Sequence, residues 1–197
     1  MTTTILPGLT VTDEMYQAAH VGITDYASDT ALTWEKFTTA AAWTLIPDDR
    51  GELSKAETTL IRSIERTVRL NIWFRPDLRG GDRPMPHNHP WRTFTGHVLL
   101  GGYDENRYRR NESGDVLADL GVAHRAPATN TVDHDTYHEI TEIHEPGRTL
   151  SLMVCGRGQR GDWGYLDTDT GEHRVLQPVT DFAAMLAALN PHQRPAY

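Results

Sequence analysis

From residue 87 onward the chain is divided by closely spaced turn signals. They are Gly101-Gly102, Asn111-Glu112-Ser113-Gly114, Glu145-Pro146-Gly147, the stretch from Gly156 to Gly161, and Asp169-Thr170-Gly171. Between them lie strand candidates at about 93–100, 103–109, 115–120, 137–143, 149–155, 163–167 and 173–177. Short strands at this spacing predict an antiparallel sandwich or barrel.

The first third reads differently. Residues 1–28 read as an irregular entry with one short helix near Asp13 to Ala19. Trp34, Phe37, Ala41 and Leu45 fall on one face of a helix over 30–46. Ser54 and Glu57 have the spacing of a capping box, and Leu60, Ile61, Ile64 and Val68 give a stripe that predicts a second helix over 54–69. Leu70 to Phe74 is extended in character, and residues 76–86 form a loop rich in Gly, Pro, Arg and Asp. Asp181 can cap a last helix carrying Phe182, Met185, Leu186 and Leu189. The expected organisation is a helical extension over 1–69, a barrel over 70–178, and a terminal helix and tail over 179–197, all in one compact unit.

A net charge of -8 argues against nucleic acid or an anionic membrane as partner. Cys155 is the one cysteine, so no intramolecular disulfide can form, and its apolar neighbours suggest a buried small side chain. The start of the sequence lacks the pattern of a signal peptide, and no run approaches 18 apolar residues, so a cytoplasmic location is the expectation.

The chemistry concentrates in histidines. His87 and His89 are two residues apart, and in an extended strand such residues share a face, about 6–7 Å apart. Two imidazoles so placed can converge on one metal ion. A second cluster, His134 and His138, follows. His134 shares a face with His138 in either a strand or a helix, and can be a third ligand, a fourth ligand or an acid/base group beside the site. Glu142, four residues past His138, can orient a histidine by accepting its second N–H. His97 should face the other side of its strand from Phe94 and be structural, while His124, His144, His173 and His192 are assigned no role. Phe94, Tyr103, Trp163 and Tyr165 can line a cavity or form plain core. Arg157 and Arg160 can clamp a substrate carboxylate, or can be solvated turn residues. Fingerprints of a nucleophilic serine, a phosphate loop, a dinucleotide site or a cysteine zinc site are absent from the sequence.

His87-Asn88-His89-Pro90-Trp91, then Leu100-Gly101-Gly102-Tyr103, then Trp163-Gly164-Tyr165 resemble the cupin superfamily over about residues 70–178. The resemblance implies a mainly β, jelly-roll barrel with His87, His89 and His138 as metal ligands and Gly101 as the glycine of the first motif. The acidic position of that motif falls near Phe94, flanked by Thr93 and Thr95, so the site resembles a three-histidine centre without the glutamate. Fe(II) is the ion the resemblance favours, with Zn, Ni, Mn and Cu open, since imidazole suits several of them. A non-haem Fe(II) oxygenase acting on a small molecule is the leading expectation. A non-redox metal enzyme (isomerase, lyase or hydrolase) and a non-catalytic small-molecule-binding cupin are the alternatives. Cupins often pair barrels edge to edge, so the resemblance also implies a homodimer.

Overall fold

The computed structural model describes residues 1–79, 83–158, 163–175 and 181–193. The chain opens with a hairpin of β1 (Thr2–Leu6) and β2 (Leu9–Thr12), then enters helix α1 (Asp13–Tyr26). The Thr12 side chain caps α1 by accepting from the Met15 amide at 3.2 Å, and Asp13 and Glu14 in the first turn complement the helix dipole. Met15, Ala19, Gly22 and Ile23 form its buried stripe. This helix is a full turn and more longer than its apolar signal predicts.

The two expected outer helices are corrected. Only α2 (Trp34–Thr38) is α-helical within 30–46; a 3-10 turn at Ala40–Ala42 and strand β3 (Thr44–Pro47) follow. Thr38 and Thr39 hydrogen-bond back to the carbonyls of Trp34 and Glu35, and Thr39 is already extended. Such side-chain bonds compete with helix continuation. Residues 54–69 are not helical at all. They form most of a hairpin of β4 (Leu53–Arg62) and β5 (Thr67–Trp73), with Ser63 and Arg66 closing the turn. In β4, buried Ser54, Ala56 and Thr58 alternate with partly exposed Lys55, Glu57 and Thr59. That is a two-residue period written in small and charged side chains.

The remaining strands are β6 (Thr93–Leu100), β7 (Gly102–Arg110), β8 (Val116–Arg125), β9 (Ala128–Asp133), β10 (Tyr137–Ile143), β11 (Thr149–Cys155), β12 (Gly164–Leu166) and β13 (His173–Val175). Helix α3 (Phe182–Leu189) follows. A six-stranded antiparallel sheet has the order β3-β4-β5-β11-β6-β9. A smaller sheet, β10-β7-β8, faces it and is continued towards the β12-β13 hairpin by bridges from His87 to His138 and Tyr165. The chain is thus mainly β and antiparallel, a double-sheet arrangement of the jelly-roll kind.

The large sheet has two unlike faces. Val68, Leu70, Ile72, Leu150 and Leu152 point outward, where Met15, Ala19, Ile23, Phe37 and Trp43 cover them in one buried cluster. Tyr26 of α1 stacks on His97 at 3.7 Å between ring centroids, on that same outer face as expected for a structural histidine. The inward face meets the small sheet. Trp73 and Val98 pack there with Tyr103, Ile140 and Ile143, and Phe94, Val132, Met153 and Cys155 form a second inner cluster. Cys155 is fully buried, which pushes its thiol up to about 12. Gly101, with φ +65°, turns β6 into β7, and a Cβ there would meet Thr149 Oγ1 at 2.5 Å. On the outer edge of β3, the Asn190 amide both accepts from the Leu45 N–H and donates to the Leu45 carbonyl, each at 2.7 Å.

Candidate metal centre

His87 lies on a short extended segment pinned to β10. Its N–H donates to the His138 carbonyl at 3.0 Å, and the His138 N–H returns the bond at 2.8 Å. Asn88 fixes the next step: its side-chain oxygen accepts from the Gly164 amide at 2.8 Å, and its own amide donates to the Gly164 carbonyl at 3.1 Å. His87 and His89 therefore present their rings to the same place that His138 enters from β10. Ring centroids lie 5.2 Å apart for His87 and His89, 5.0 Å for His87 and His138, and 4.8 Å for His89 and His138. One ring nitrogen from each falls within 4.8 Å of the others, and the Nε2 atoms of His89 and His138 are 2.7 Å apart. Neighbouring ligands at about 2.1 Å from a common ion stand about 3 Å apart, so this spacing fits a shared metal.

The surroundings favour neutral rings. Burial pushes His87 down to about 3; the Asp77 carboxylate opposes that shift, and His138 adds to it. Burial, followed by the charge of His138, holds His89 well below its ordinary value. The His87 Nδ1 is buried without a hydrogen-bond partner among the described residues. His89 lies against aromatic carbon: Phe94 stacks on it at 4.0 Å, and the Trp91 ring, itself 5.9 Å from Phe94, lies 5.6 Å away.

His138 is oriented by Glu105, a residue not singled out from the sequence. Glu105 sits on β7 and is completely buried. One carboxylate oxygen bonds the His138 Nδ1. The other receives His124 Nε2 at 2.8 Å, Arg107 Nε at 2.8 Å and Asn130 Nδ2 at 3.0 Å. Burial works against the charge, but the hydrogen bonds from His124 and His138 overcome it and hold the carboxyl well below the usual range. A carboxylate on Nδ1 leaves the Nε2 lone pair of His138 facing His89 and the focus of the cluster. Three imidazoles, one oriented through its Nδ1 by a buried carboxylate, fit a divalent ion of intermediate softness.

The other sequence candidates are dispersed. Glu142 is exposed beyond a register shift in β10, so the orienting acceptor is Glu105 in its place. His124, assigned no role from the sequence, belongs to the Glu105 network. His134 lies in the turn between β9 and β10, and its ring is not in the three-histidine group. Tyr103 is buried on the inner face, where its hydroxyl accepts from Asn130 at 2.8 Å. Trp163 is partly buried beside Gly164. Arg157 is 59% exposed and faces Glu65 at 3.7 Å on the surface, the position of the solvated turn residue that is its other reading. Arg160 lies outside the described residues.

No family model matches the chain, and no curated protein matches it. Among solved structures it is similar to KdgF from a Halomonas species, at 14% identity and a TM-score of 0.40, over 58% of this chain and 87% of that one. It is similar to Fe(II)-HppE at 12% identity and a TM-score of 0.39, over 58% of this chain and 54% of that one. It is also similar to a cupin superfamily protein from Desulfitobacterium hafniense, at 12% identity and a TM-score of 0.37, over 58% of this chain and 97% of that one.

Proposed function

We propose that the chain is a metal-dependent enzyme of the cupin type, a non-haem Fe(II) oxygenase acting on a small molecule. The observation that carries the reading is the convergence of His87, His89 and His138 with Glu105 behind His138. A divalent ion held by these three rings would supply Lewis-acid chemistry and, as iron, redox chemistry. The protein's own residues hold and shield that place. Glu105 keeps the His138 proton on Nδ1, Phe94 and Trp91 cover part of the His89 ring, and the Asn88–Gly164 bonds fix the loop that carries two of the rings. Held by ring nitrogens alone, a divalent ion would keep its positive charge, which would favour an anionic ligand.

Metal content of protein purified without chelator is the first test. Oxygen consumption by the Fe(II)-loaded protein with candidate substrates is the second. Stoichiometric metal with turnover that proceeds equally without oxygen moves the reading to non-redox chemistry. Absence of bound metal after reconstitution rejects both enzyme readings in favour of a binding module.

A further inference from the structure

The hairpin that the sequence disguises as a helix lines the inside of the barrel. The register pairs Lys55 with Trp73, Glu57 with Asn71 and Thr59 with Arg69, while β11 sets Met153 opposite Arg69 and Ser151 opposite Asn71. These residues share the inward face, because Val68, Leu70 and Ile72 occupy the outward one. The inner wall of β4 and β5 therefore carries two cations and one carboxylate. Lys55 lies 3.3 Å from Glu57, and its ammonium is 5.0 Å from the centre of the Trp73 ring. Arg69 is 3.7 Å from the same carboxylate, too far for a hydrogen bond, and its guanidinium carbon lies 5.7 Å from the Trp91 ring. The three charged side chains are only 15–20% exposed.

This cluster is not internally satisfied. Its net charge is positive inside a chain of net charge -8. The Arg69 Nε is buried with no hydrogen-bond partner among the described residues, and so is the Oδ1 of Asn71, a fully buried residue. Buried polar atoms in a folded protein nearly always find partners, so two such atoms beside an excess cation point to a missing one. On the same inner wall β6 places Gly96 opposite Met153, where the missing side chain leaves the Asn130 carbonyl oxygen and the Tyr103 hydroxyl at 3.8 and 3.9 Å from where a Cβ would stand. Trp91 connects the cluster to the histidines, since its ring neighbours both Arg69 and His89.

We propose that Arg69 and Lys55, with Asn71, form a binding site for the carboxylate of a small-molecule ligand inside the barrel, whose other end reaches towards the histidine cluster. Arg69 donates from its fork, Lys55 supplies a second charge, and the Asn71 oxygen accepts from a hydroxyl or amine of the ligand. Glu57 positions the two cations and competes with the ligand for them. The assignment names the substrate class of the reading above and rests on it for the role of the histidines.

The test uses the full chain, chelator-treated and zinc-reloaded, with succinate as probe and the uncharged succinamide and inorganic phosphate in parallel, by calorimetric titration. Succinate binds the wild type, at least about tenfold more tightly than succinamide and more tightly than phosphate. Arg69→Gln weakens succinate about tenfold or more, and Lys55→Gln weakens it severalfold; zinc stoichiometry stays unchanged in both. Glu57→Gln tightens succinate severalfold although it removes an ion pair, an outcome a purely structural role would not give. The proposal is overturned if succinate fails to bind the wild type at tens of millimolar, if succinamide or phosphate binds as well, or if Arg69→Gln and Glu57→Gln leave affinity unchanged in folded protein. Zinc binding without succinate binding defeats this site alone. Arg69-dependent succinate binding in a protein that takes up no zinc defeats the metal reading and leaves this site standing.

Discussion

Replacing Glu105 with glutamine tests the idea that a buried carboxylate sets the proton on His138. The carboxylate is completely buried, with His138 on one oxygen and three donors on the other. A glutamine has one accepting oxygen and one donating amide NH2. Keeping the oxygen on the crowded side turns the NH2 towards His138 Nδ1, which must then accept. The His138 proton moves to Nε2, the atom that faces His89, and that atom can no longer offer its lone pair to a metal. Loss of such an orienting partner lowers metal affinity about 10–100-fold. Hydrogen bonds to a charged group contribute about 1.5–3 kcal/mol each and neutral ones about 0.5–1.5, so the charge lost across four bonds should also destabilise the fold by about 4–6 kcal/mol, less the desolvation no longer spent on a buried charge. Zinc affinity by chelator competition and urea denaturation of metal-free protein measure the two effects. Asn130→Ala is the control, since it removes a donor from the same carboxylate without touching the His138 ring. It should cost stability and keep zinc affinity within a few-fold. Wild-type zinc affinity in folded Glu105→Gln, or an equal loss in Asn130→Ala, would refute the reasoning.

His138→Ala should abolish stoichiometric metal binding while His134→Ala preserves it, as read by elemental analysis; the reverse pattern would relocate the third ligand. Metal-free protein should lose stability as the pH falls below about 6.5, because His87 and His89 are held below that value when folded and recover it when unfolded, so the unfolded chain binds more protons. A further loss should begin near 4.5, where Glu105 and Asp77, both depressed in the fold, begin to protonate in the unfolded chain. A denaturation midpoint that is flat from pH 7 to 4 would contradict both. Gly102→Ala should destabilise by about 1–3 kcal/mol or prevent folding, since its Cβ would stand 2.5 Å from the His124 carbonyl oxygen, a backbone atom; an unchanged melting temperature would show that the strands yield there.

The strands of the second half were legible because their turns are marked by glycine, proline and asparagine, and 93–100, 137–143 and 149–155 coincide with β6, β10 and β11. The β4–β5 hairpin was not. Beyond Leu70 to Trp73, which read as extended, its alternation in β4 sets small Ser54, Ala56 and Thr58 against charged Lys55 and Glu57, and Leu60, Ile61, Ile64 and Val68 fall by chance on a helical stripe. A polar barrel interior inverts the signal on which strand reading depends. The same inversion hid Glu105: in the run Gly102 to Arg110 it reads as one charge on an exposed strand, whereas it is the buried partner of a histidine. His87 and His89 could be found as a local pair, whereas His138 was separated from His134 only by the resemblance to the cupin motifs. A glycine-rich turn gives no direction to the Arg157 side chain, so the sequence leaves both a clamp and a solvated turn open for it.

The Asn190 amide at the border of β3 has a consequence for how copies of this chain meet. A border strand with free N–H and C=O groups is a template on which another chain can add itself. By occupying both groups of Leu45, Asn190 acts as a single peptide unit of a seventh strand, and His192 and Gln193 add bonds to the Trp43 carbonyl. The terminal helix thus serves as a stopper on the sheet, and a chain cut before Asn190 would keep its barrel interior while gaining an adhesive rim.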